Sequence, residues 1–190
     1  AWNDEHGAWR RKLRRLWSGW PRAAGPPPPL RARTATRESF APFGELVGES
    51  DDGAPYDAAA TDAALDLSRG PPRLYLMRLD GPRELAVARI TRHSRVTQCL
   101  GALGLDDDFY LAVHAPGDNP SRAGLRVFRV PPRHFVKLHA GTWHAGPLWT
   151  RDASRTFVNL ELADTNVTDH NSVDLVPPDA EPIPILPPVD

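Results

Sequence analysis

"KLHAGTWHAGPL", residues 137–148, holds two histidines, a tryptophan, two glycines and one of the chain's two lysines within twelve positions. Together with the residues before it, "HFVKLHAGTWH", it alternates with the period of a strand. Phe135, Lys137 and His139 fall on one face, and Gly141 marks a turn before His144. The same rhythm extends outward in both directions. "RLYLMRL" (73–79), "ELAVARITRH" (84–93), "DFYLAVHA" (108–115), "LRVFRV" (125–130), "HFVKLHA" (134–140) and "TFVNLEL" (156–162) are each β-rich or alternating, with turn residues between them. Short strands at this spacing predict an all-β sandwich or barrel. "DAAATDAALDLS" (57–68) is the one good helical candidate within that region.

Two of these strands carry chemistry. In "ELAVARITRH" the alternation places Val87, Arg89, Thr91 and His93 on one face, and Gln98 stands five residues beyond His93. If this strand neighbours 134–140 across a barrel, His93, Gln98, His139 and His144 converge on one cavity. Imidazole nitrogens and an amide oxygen suit a divalent metal of the manganese, iron, nickel or zinc group. A lone histidine on a strand is more often a hydrogen-bonded core residue, so only the constellation carries the expectation. His170 falls in a loop where capping is expected, and Asn166 opens an "NVT" sequon of the kind that arises by chance.

"ITRHSRVTQCLGALG" (90–104) followed after 31 residues by "VKLHAGTWHAGPL" (136–148) resembles the two signature stretches of the ureidoglycolate lyase family. "ESFAPFGELVGE" (38–49) is similar to that family's N-terminal segment. "FVNLELADTNVTDHNSVDL" (157–175) is similar to its last strand and closing loop, in the style of plant and algal members. The resemblance spans 38–175 and implies a cupin-type double-stranded β-helix barrel, or jelly roll. It also implies cleavage of (S)-ureidoglycolate, a small ureido acid, to glyoxylate and urea, in the recycling of purine nitrogen through allantoin.

By position, His93, Gln98 and His144 match cupin metal positions, while Thr91 stands where a first histidine ligand is usual. A manganese, nickel or zinc-like ion is therefore expected only with a weakened ligand set. His139 is a candidate base for the substrate hydroxyl, and Lys137 a candidate partner for its carboxylate. Arg89 is a second carboxylate candidate. Trp143 is either a substrate wall or barrel-end packing.

The two ends read differently. Residues 1–40 carry nine basic and three acidic groups (+6), and residues 41–190 carry fourteen and twenty-one (−7), which together give the net charge of −1. That balance excludes a dedicated nucleic-acid binder. "NDEHGAWRRKLRRLWSGW" sets Trp9, Leu13, Leu16, Trp17 and Trp20 at helical spacing with arginines opposite. It predicts a basic amphipathic helix for an anionic membrane surface or a partner subunit. "PRAAGPPPPLRARTATR" (21–37) and "VPPDAEPIPILPPVD" (176–190) read as proline-rich arms without a central strand.

The expected division is thus 1–37 helix and arm, 38–175 barrel, and 176–190 arm. A single cysteine, Cys99, excludes an intramolecular disulfide framework. No apolar run approaches the roughly 18 residues of a membrane span. A start at Ala1 fits a chain trimmed after import into a chloroplast or mitochondrion. These ends support an alternative role, a non-catalytic accessory subunit of an organellar membrane-associated complex, and a homodimer is compatible with either role.

Overall fold

The computed structural model describes residues 27–151 and 153–189. The expected helix with Trp9, Leu13, Leu16, Trp17 and Trp20 lies outside the described residues. Two sheets hold nearly all the regular structure. The larger runs in the order β12 (Asn171–Asp174), β5 (Arg89–Arg92), β10 (Trp143–Leu148), β7 (Phe109–His114), β8 (Arg126–Val130), β1 (Leu30–Thr34), β13 (Ile183–Leu186) and β4 (Ala86–Val87). The smaller runs β2 (Gly44–Val47), β9 (Phe135–Leu138), β6 (Gln98–Ala102), β11 (Arg155–Leu162) and β3 (Pro72–Leu79). Two one-turn α-helices, α1 (Arg37–Phe40) and α2 (Thr165–Thr168), and a short 3-10 helix at Arg122–Gly124 complete the described elements.

The alternation in "FYLAVH" explains the architecture. Phe109, Leu111 and Val113 point toward the smaller sheet and join Leu46, Leu100, Val136, Leu138 and Phe157 in the main core. Tyr110 and Ala112, on the other face, pack with Ala32, Ile90, Val127, Trp143, Ile183 and Ile185. Every member of this second cluster comes from the larger sheet or its flanks, so that sheet curls around its own outer face. The result is the β-barrel that the strand rhythm predicts, consistent with the cupin-type jelly roll that the family resemblance implies. Phe109 and Trp149 pack against Phe157 with ring centroids 5.3 and 5.7 Å apart.

Four expectations are corrected. The first arm does contain a strand: β1 starts directly after the prolines and lies between β8 and β13, parallel to both. Proline ends at Pro29, so Leu30–Thr34 keeps every donor a ladder requires. The C-terminal arm likewise supplies β13, whose Pro184 alternates with buried Ile183 and Ile185.

Residues 57–68 are turns rather than a helix. The Asp57 carboxylate accepts the Ala59 and Ala60 N–H groups and closes a local turn, and the alanines offer no wide apolar stripe to bury. Finally, "ELAVARITRH" is broken at Ala88 into β4 and β5. Val87 and Ile90 therefore enter the same cluster, and Val87 does not share a face with Arg89. Among the described residues no helix is long and apolar enough to cross a membrane.

Candidate active site

Strands β10, β5 and β12 lie side by side, with His144 opposite Thr91 and Thr91 opposite Ser172. His144 also pairs with Val113, a main-core residue, so its side chain lies on the barrel's inner face. His93 follows β5 on the same face. Its ring centroid is 5.3 Å from His144 and 5.8 Å from His170, the residue before β12. The Gly141 turn locks this arrangement. Gly141 has φ +84°, where a side chain is strained, and its N–H donates to the His93 carbonyl at 2.6 Å.

Each of the two inner histidines has one nitrogen assigned by a carbonyl, which can only accept. His93 Nδ1 donates to Asp169 O at 2.6 Å, and His144 Nδ1 donates to Thr142 O at 3.3 Å. In the neutral ring, Nε2 is then the lone-pair nitrogen. Burial pushes the His93 pKa down, and the nearby His170 adds to this; the Asp169 carbonyl and the Glu161 and Asp169 carboxylates oppose it. His144 is half-buried, and enclosure of its ring together with the neighbouring His93 and His170 takes its pKa down to about 4. Both rings are therefore neutral at physiological pH.

The facing wall comes from the smaller sheet. Glu161 on β11 is 1% exposed, and its carboxylate accepts from Gln98 Nε2 (3.1 Å), Asn159 Nδ2 (3.1 Å) and Asn166 Nδ2 (3.0 Å). Arg73 Nη1 lies 3.7 Å from the same carboxylate, with its guanidinium over the Tyr75 ring. Asn159 Nδ2 also donates to Tyr75 Oη at 2.9 Å, whereas its buried Oδ1 has no partner among the described residues. Glu161, Asn159, Tyr75, Arg73 and His170 were not among the expected site residues. The signal was present in "TFVNLEL", where Asn159 and Glu161 occupy the same face as Phe157, and polar side chains on a buried face require a reason.

The remaining expected residues lie elsewhere. Gln98 pairs with Leu138 and Cys99 with Lys137, so Lys137 points away from the barrel interior. On that outer face Lys137, only 4% exposed, donates to Glu45 Oε1 at 2.9 Å and to His139 Nδ1 at 3.3 Å, and His139 Nε2 donates to Ala41 O. Burial also raises the adjacent Cys99 thiol to about 11, against the Lys137 charge, so this thiol is inert. The expected convergence of His139 with His93 and His144 on one cavity is thus corrected by the register. Arg89 is committed to Asp174 through bonds of 2.6 and 3.2 Å. Trp143 is buried in the second cluster, donates to Gly117 O and carries Arg92 on its ring, so it packs on the face opposite the histidine cluster.

The donor atoms of the expected metal ligands are placed as follows. Gln98 turns its amide nitrogen to Glu161, the Thr91 hydroxyl is bonded to Ser172 Oγ at 2.7 Å, and both histidine Nδ1 atoms are bonded to carbonyls. Among the described residues no group of three or more His, Cys, Asp or Glu side chains is placed to hold an ion. With Nδ1 held by a carbonyl, His93 and His144 each keep Nε2 as a lone-pair donor suited to an ion, whereas the Thr91 hydroxyl and the Gln98 amide nitrogen are engaged elsewhere, so the imidazole pair fits the expected ion and the rest of the expected set is weak.

What the site offers is a pair of neutral bases facing a buried carboxylate network. A family model described as ureidoglycolate lyase matches residues 27–180. The chain belongs to the ureidoglycolate lyase family. The family match begins before β1 and is wider than the 38–175 expected from motifs. It includes every residue of the histidine cluster and of the carboxylate network facing it. A comparison with curated proteins finds no match. Among solved structures, the chain is similar to a dTDP sugar isomerase from Desulfovibrio desulfuricans G20, at 16% identity over 72% of this chain and 84% of that one, with a TM-score of 0.41.

Proposed function

We propose that this protein is a ureidoglycolate lyase, splitting (S)-ureidoglycolate into glyoxylate and urea in the pocket of His93, His144 and Glu161. The observation that carries this reading is the fixed pair of neutral imidazoles, each with Nδ1–H tied to the backbone, within the family's matched region. The reaction moves one proton and breaks one bond. His93 Nε2 takes the substrate hydroxyl proton, the C–O bond becomes C=O, and the C–N electron pair leaves with the urea nitrogen. That nitrogen receives the proton back from His93, so no water, oxidant or reductant is consumed.

His93 is the better base of the two. Carboxylates support its basicity, while His144, with a pKa of about 4, stays neutral and does not oppose the charge forming beside it. Asn159 Oδ1 is a matched acceptor for a ureido N–H, and Arg73 at the pocket rim is the cation for the substrate carboxylate. Assignment to the cupin superfamily and to its plant or algal branch is supported by the quoted motifs. An organellar address and docking through residues 9–20 rest on sequence alone.

The test is direct. Purified protein given (S)-ureidoglycolate should release glyoxylate faster than the spontaneous background. Release at the background rate, with a known lyase working in parallel, would remove the reading.

A further inference from the structure

The loop after β11 is bound to the catalytic strand with more bonds than chain closure requires. Asp169, 4% exposed, places its carboxylate on two consecutive backbone donors, Ser94 N at 2.9 Å and Arg95 N at 2.8 Å. Its own carbonyl accepts His93 Nδ1–H at 2.6 Å. One residue thus holds both the peptide that follows His93 and the imidazole itself. The Arg95 side chain returns across the gap: Nη1 donates to Asp164 Oδ2 (3.0 Å) and Thr168 Oγ1 (2.9 Å), and Nη2 donates to Arg69 O (3.0 Å). Helix α2 lies between Asp164 and Asp169, and its last turn closes with Asp169 N donating to Thr165 O.

We propose that Asp169 is a positioning residue that sets the tautomer of His93, held in place by an Arg95 latch. It deepens the lyase reading and rests on it for its functional consequence. A neutral imidazole in water exchanges its proton between the two nitrogens. Only the Nδ1–H form leaves Nε2 as the base, and a buried carbonyl at 2.6 Å selects that form. The carboxylate does not touch substrate. Its two bonds to Ser94 and Arg95 keep the carbonyl aligned with the ring, because loop and strand are fixed at three points around His93. Capping alone would require neither the buried carboxylate nor the return of Arg95.

The experiment uses nitrogen-15 NMR of the histidine rings together with steady-state kinetics on the full chain. In the unmodified protein the His93 ring should give the Nδ1–H tautomer signature at neutral pH. In Asp169→Ala that signature should become a mixture, and kcat for glyoxylate release should fall at least about tenfold with KM within about threefold. Arg95→Met should show the same change in smaller degree. An unaltered His93 tautomer in folded Asp169→Ala would overturn the proposal. Where that variant does not fold, Asp169→Asn, which keeps one acceptor, decides by the same signature. If the unmodified protein releases no glyoxylate, the lyase reading fails, while the NMR comparison still decides the tautomer role.

Discussion

The histidine pocket should make the protein acid-sensitive in a way that one substitution can isolate. His144 has an ordinary pKa of 6.5 in the unfolded chain and about 4 in the folded one. Between those values the unfolded chain holds a proton that the folded chain does not. Its effect on stability is therefore nil above pH about 6.5, grows as pH falls, and levels off below about 4. A difference of about 2.5 units at about 1.36 kcal/mol each gives about 3.4 kcal/mol, and solvent screening of a half-buried ring trims this to about 2–3 kcal/mol. His93, shifted in the same direction, adds to the loss.

The assay is urea unfolding at pH about 7 and about 4.5 for the unmodified protein and His144→Asn. Asparagine does not titrate, so the variant should lose about 2 kcal/mol less between the two conditions, whatever its stability at neutral pH. An equal loss in both proteins would show that His144 is not desolvated as described.

Two further outcomes follow from the same geometry. Glu161→Gln removes a carboxylate that supports the basicity of His93, so the acid limb of the pH–rate profile should move to lower pH. Turning an amide N–H toward the Gln98, Asn159 and Asn166 donors should also cost about 1–3 kcal/mol in urea unfolding; an unmoved profile would argue against electrostatic coupling between Glu161 and His93. Gly141→Ala forces a side chain to φ +84° and strains the Gly141–His93 bond, so it should destabilise by about 1–2 kcal/mol and lower kcat more than it changes KM.

Much of the barrel was legible because strands such as Phe109–His114 and Arg155–Leu162 announce themselves through local alternation. The pairing of β1 with β13 was not. It joins residues more than 150 positions apart, in parallel, at the edges of proline runs, and nothing local encodes that contact. His93 and His144 were found because imidazoles on strand faces are conspicuous.

The misplacement of Lys137 and His139 has a simple physical origin. Alternation shows which residues share a face, but only register shows which face is inside, and a one-residue step exchanges the two. Pairing of Gln98 with Leu138 sends Lys137 outward to Glu45. Glu161 and Asn159 escaped notice because carboxylates and amides ordinarily mark the solvated side of a strand; here their partners, Gln98, Asn166, Tyr75 and Arg73, come from distant segments.

The central claim is that catalysis belongs to the His93 pocket and not to the Lys137–His139 cluster behind the smaller sheet. Glyoxylate release from (S)-ureidoglycolate, measured side by side for His93→Asn and Lys137→Met at matched folded fraction, tests it most directly. The first should fall by about a hundredfold or more, the scale of a lost general base, while the second stays within about threefold of the unmodified protein. Near-normal release by His93→Asn with collapse in Lys137→Met would place the chemistry on the other face of the sheet and contradict the account.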